Sequence, residues 1–97
     1  MMFPGKNCLV FILIAMLAAA SGCATADTES TRRRARALED LGVSYLREGN
    51  PNLAVKYLME AAEADPGNPH IARSLGIAYR ELELTDRAAA EFLRALS

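Results

Sequence analysis

Side chains able to do covalent or acid–base chemistry are few in this chain. It has two cysteines, Cys8 and Cys23, one histidine, His70, and no tryptophan. His70 follows Pro69 at a predicted helix start, with no His or Cys spaced to complete a metal site. No nucleophile or orienting carboxylate accompanies it, so a general base there would have nothing to act with. Glu81 and Glu83 are two residues apart, which points them to different faces of a helix. Catalysis needs a positioned constellation, and this pattern offers none: it reads as a non-enzyme without cofactor or metal. Cys23 stands apart. It follows Ala20-Ser21-Gly22, and small side chains beside a scissile bond suit a processing peptidase.

The residues before Cys23 fit that reading. Lys6 gives a short basic start, and residues 8–20 are uncharged and apolar. A helix of that length spans roughly 20 Å, short of the ~30 Å hydrocarbon core, so it suits a signal segment better than a spanning helix. Ala20-Ser21-Gly22-Cys23 resembles a bacterial lipobox, with Ala20 where Leu is usual. The resemblance implies that residues 1–22 are a lipoprotein signal peptide and that the Cys23 thiol is acylated. Cleavage would remove Cys8 and with it any intrachain disulfide. Ala24 after the cysteine, where Asp would mark inner-membrane retention, implies an envelope protein held at the outer membrane facing the periplasm. Two other readings stand beside this one: an ordinary cleaved signal with Cys23 incidental, or an uncleaved anchor.

Residues 23–31 then read as the acylated Cys and a small, polar tether, with Thr28, Ser30 and Thr31 as candidate helix caps. Arg32-Arg33-Arg34-Ala35-Arg36 follows. The run reads as a solvated helix face pairing with Glu39 and Asp40, with contact to anionic headgroups as the sharper alternative. Net charge is −1 and no aromatics interleave the arginines, which argues against nucleic acid.

From Ala35 the apolar spacing is helical. Leu38, Leu41, Gly42, Tyr45 and Leu46 share one face, and Gly49-Asn50-Pro51 punctuates. Leu53, Ala54, Tyr57, Leu58, Ala61 and Ala62 form a second helix, ended by Asp65-Pro66-Gly67-Asn68-Pro69. Ala72, Leu75, Gly76, Tyr79 and Leu82 mark a third. Ala88, Phe92, Ala95 and Leu96 mark a fourth, starting at Thr85 or Asp86. Leu41-Gly42-Val43-Ser44-Tyr45 returns as Leu75-Gly76-Ile77-Ala78-Tyr79, an offset of 34 residues, and Ala54, Leu58 and Ala61 fall on Ala88, Phe92 and Ala95. Such a period marks stacked repeats. Gly42 and Gly76 are expected to let the partner helix of the same hairpin approach closely.

These residues, with Pro66, resemble the tetratricopeptide repeat over residues 35–97. Leu38 and Ala72 stand where the family favours an aromatic, and Glu83 stands where Gly49 sits in the first unit. The resemblance implies an all-α fold. Two antiparallel helix-turn-helix hairpins of a right-handed superhelix, residues 35–68 and 69–97 within a 32–97 domain, would follow a signal-peptide helix and a flexible tether. It also implies a concave groove for a protein or peptide partner, lined by Arg36, Glu39, Val43, Leu46 and Arg47, then His70, Arg73, Ile77, Arg80 and Glu81. The arginines suit an acidic, partly apolar peptide. A chaperone carboxylate clamp of Lys and Asn is excluded by Glu39, Val43 and Ser74 at its positions.

The function expected is therefore a lipid-anchored scaffold or assembly factor. Leu41 to Asn50 also resembles the outer-membrane lipoproteins of type IV pilus assembly. The alternative is an N-terminal module of a larger envelope enzyme or secretion component. Two hairpins are few for a repeat stack, and Phe92, Leu93 and Leu96 are expected to lack cover on one side. That leaves a fragment, a partner that completes the stack, or self-association through the last helix.

Overall fold

The computed structural model describes residues 28–97. The signal segment, Cys23 and residues 23–27 of the expected tether lie outside the described residues. The described part is all-α, with no strand: two helical hairpins, as the repeat period implies. Residues 28–47 are helical (α1), followed by α2 (Pro51–Ala64), α3 (Pro69–Glu81) and α4 (Thr85–Leu96). Residues from Thr31 onward form one compact unit.

One boundary differs from expectation. Residues 28–31, expected in the tether, are already helical. Residues 24–31 contain no Pro or Gly to interrupt a helix, and Glu29 precedes Arg33 at the favourable i, i+4 spacing.

The first turn is built as its residues dictate. Gly49 takes φ 79°, its N–H donates to the Leu46 carbonyl at 3.1 Å, and the Asn50 N–H donates to the Tyr45 carbonyl at 2.8 Å. This pair of bonds satisfies carbonyls left open at a helix C-terminus. Asn50 then caps α2, its Oδ1 accepting from the Leu53 N–H at 3.4 Å, with Pro51 opening the helix. The second turn repeats the bonding 34 residues on. Glu83 N–H donates to Arg80 O and Leu84 N–H to Tyr79 O, both at 2.9 Å. Glu83 therefore adopts φ 62° without being glycine. Between the hairpins, Asn68 accepts from the His70 N–H and donates to Asp65 Oδ2, each at 2.9 Å.

The two glycines position the helices. A Cβ on Gly42 would lie 2.5 Å from Leu58 Cγ and 3.3 Å from the Ala54 carbonyl oxygen. A Cβ on Gly76 would lie 2.6 Å from the Phe92 ring. Each glycine is thus the contact point of its own hairpin, at equivalent positions of the two units. Gly within a helix costs about 0.5–1 kcal/mol relative to Ala. The close approach offsets it by burying Leu58 completely, a gain of about 1.5–3 kcal/mol.

The core is shared between α2, α3 and α4. Ala54, Leu58, Leu75, Ala78, Tyr79 and Ala88 form one cluster, with Tyr45, Leu46 and Phe92 packed against it. Ala35, Ala61 and Ile71 form a second, so the alanine inside the arginine run is buried. Phe92, expected to be open on one side, is half-buried because its ring fills the space over Gly76; Leu93 and Leu96 are exposed. Leu41 corrects another expectation. Its helical spacing predicts the packed face, but it is 39% exposed, whereas its equivalent Leu75 is 3% exposed. Leu75 lies in a cluster with Ala54 and Leu58 of the preceding helix; Leu41 belongs to neither buried cluster.

Each hairpin carries its own tyrosine arrangement. Tyr45 and Tyr57 stack with centroids 5.5 Å apart and planes 8° from parallel. In the second unit Glu91 occupies the position of Tyr57, and the Arg87 guanidinium carbon lies 5.9 Å from the Tyr79 centroid.

Candidate peptide-binding surface

The surface expected to bind a partner lies on the first helices of the two hairpins, α1 and α3. At 3.6 residues per turn, Arg36, Glu39, Val43 and Arg47 fall along one side of α1, and His70, Arg73, Ile77 and Arg80 along one side of α3. The 34-residue period places Arg36 opposite His70, Glu39 opposite Arg73 and Val43 opposite Ile77 as equivalents.

Packing decides which side of α3 is free. It contacts both α2 and α4. Ile71, Ala72, Leu75, Gly76, Ala78 and Tyr79 are buried by them. What α3 leaves open is a single stripe: exposed His70, Arg73, Arg80 and Glu81, with Ser74 and Ile77 half-buried among them. On α1, Arg36 and Arg47 are exposed while Glu39, Val43 and Leu46 are half-buried. Each row is thus polar and cationic around one half-buried β-branched side chain.

The guanidinium groups on this surface are uncommitted. Among the described residues, Arg36, Arg47, Arg73 and Arg80 form no ion pair; the Arg94–Glu91 pair at 3.5 Å lies on α4. Arginine presents a planar fork of donors that matches carboxylates, so free guanidinium groups beside Val43 and Ile77 provide for an acidic group next to an apolar one. His70 is exposed, its backbone N–H engaged by the Asn68 cap. Among the described residues no cluster of three or more His, Cys, Asp or Glu is placed to hold a metal.

Ser74 belongs to the stripe, although the sequence marks it only as a residue unsuited to a carboxylate clamp. Its spacing from His70 (i, i+4) and to Ile77 (i, i+3) is the signal that places it there. A depression of about 400 Å³ lies elsewhere, at the second turn, lined by Glu83, Leu84, Thr85, Asp86 and Arg87. No expected groove residue lines it.

A family model described as tetratricopeptide repeat matches residues 17–69 and 39–97. No curated protein matches the chain.

Proposed function

From the premise that this chain belongs to the tetratricopeptide-repeat family, we propose that it is a non-catalytic adaptor that binds an acidic, partly apolar peptide of another protein. Repeats of this family generally mediate protein–protein interaction, and its members are typically scaffolds. The observation that carries the finer reading is the one free stripe of α3. Its uncommitted cations Arg73 and Arg80 flank Ile77, with Arg36 and Arg47 around Val43 on α1.

The same reading puts the adaptor at the bacterial envelope, tethered through acylated Cys23 and held at the outer membrane on its periplasmic side. It is supported by the signal-like segment 1–22 and by the small residues before Cys23. More than one acyl chain makes such attachment stable. A role in assembling a larger envelope machine, such as a type IV pilus, follows the likeness of Leu41 to Asn50.

Two measurements test the two halves. A fluorescein-labelled peptide alternating Glu and Leu should bind the full chain and weaken at least tenfold in Arg73→Glu/Arg80→Glu, with the melting temperature unchanged. Equal binding by both proteins would end the groove reading. Cys23→Ser should move the protein from the membrane to the soluble fraction, and globomycin should block processing of the parent chain. Unchanged processing and attachment would end the anchor reading.

A further inference from the structure

Among the described residues there is one hairpin-to-hairpin interface, α2 against α3, and the residues equivalent to its two halves recur on α1 and α4, exposed or half-buried. On α3 the stripe that meets α2 is Ile71, Leu75 and Ala78, all buried. The residues 34 positions earlier, on α1, are Ala37, Leu41 and Ser44, and all three are exposed. On α2 the opposing side includes Val55, Leu58, Ala61 and Ala62, which pack into the two core clusters. Their equivalents on α4 are Ala89, Phe92, Ala95 and Leu96. All four are apolar, and Leu96 is 85% and neighbouring Leu93 68% exposed.

We infer that α4 of one molecule receives α1 of a second copy, in the geometry by which α2 receives α3 within the chain. The occupant follows from register. The surface that α4 is built to meet is a first-helix stripe with an apolar residue at the Leu75 position, and α1 supplies it with Leu41. Repeat units interact only with their neighbours, so a new neighbour needs no change inside either hairpin. The contact is head-to-tail. It uses different surfaces on the two copies, leaves one of each unused, and so builds open chains of molecules rather than a closed dimer. The inference rests on the repeat assignment and not on the peptide groove.

Cysteine cross-linking of the full chain in detergent tests it, with Cys8 and Cys23 changed to Ser. Ala61 and Ile71 share a core cluster, so their counterparts Ala95 and Ala37 are the pair brought together. Ala37→Cys and Ala95→Cys proteins, mixed and oxidised, should give a disulfide-linked dimer, and neither alone should. A chain carrying both changes should give a ladder of multimers. Adding Leu96→Arg should cut that ladder at least tenfold, while Arg73→Glu/Arg80→Glu should leave it intact. A dimer from Ala95→Cys alone would show a symmetric α4–α4 contact and overturn the inference. No cross-link in the mixture, with circular dichroism showing folded protein, would overturn it equally.

Discussion

Glu83 holds the left-handed backbone conformation that Gly49 holds 34 residues earlier, with φ of 62° against 79°. The hydrogen bonds around the two residues are the same. A side chain in this conformation brings Cβ toward the following carbonyl oxygen, at a cost of roughly 1–2 kcal/mol. Glu83→Gly should therefore stabilise the protein. A gain of about 1 kcal/mol raises the melting temperature of a domain this size by about 4–8 °C. A melt followed by circular dichroism at 222 nm that shows no rise would mean the turn relaxes differently around Glu83.

The adjoining position offers a second gain. Asn50 caps α2 through its side chain, but Leu84, its equivalent, leaves α4 without a side-chain cap. Leu84 is 40% exposed, so replacing it sacrifices little apolar burial. Leu84→Asn should add about 0.5–1 kcal/mol. Urea denaturation should show a higher midpoint at unchanged slope.

The two contact glycines should not respond alike. In Gly42→Ala the new Cβ meets the branch carbon of fully buried Leu58 and, at 3.3 Å, a backbone oxygen. In Gly76→Ala its nearest neighbours are all atoms of the Phe92 ring, which is half-buried rather than fully enclosed. Overpacking costs about 1–3 kcal/mol, partly offset by the better helix propensity of Ala. Gly42→Ala should be the more destabilising in denaturant melts. Equal losses would show that Phe92 is as fixed as Leu58.

Leucines of the second and fourth helices provide a further contrast. Leu58→Ala empties a fully enclosed site and should cost about 2–5 kcal/mol. Leu93→Ala changes a side chain that is 68% exposed and should stay within about 0.5 kcal/mol. A large loss for Leu93→Ala in dilute protein would point to cover that the described residues do not supply.

The sequence made the hairpins legible because each carries a glycine, a tyrosine and two alanines at fixed register, and a missing Cβ has one reading when it recurs opposite Leu58 and Phe92. It was less informative about Leu41. Periodicity tells which residues share a helix face, and Leu41 and Leu75 are identical by that test; only Leu75 lies in a core cluster with the preceding helix. The start of the first helix was obscured by three plausible caps, Thr28, Ser30 and Thr31, all of which lie within α1: capping potential alone does not end a helix that the neighbouring residues can continue. On the candidate surface, spacing alone put His70, Arg73, Ile77 and Arg80 together. That they occupy the one side α3 leaves free depends on α2 and α4 both packing against it, a tertiary fact no local pattern contains.

The tyrosines have a consequence for observing this molecule. With no tryptophan to dominate the near-ultraviolet, three phenol rings carry most of the signal. Tyr45 and Tyr57 lie close and nearly parallel enough for their transitions to couple, while Tyr79 has a cation rather than a second ring near its face. The first hairpin is thus spectroscopically marked by a coupled pair and the second by a single chromophore. Loss of one hairpin before the other can be read optically, without attaching a dye.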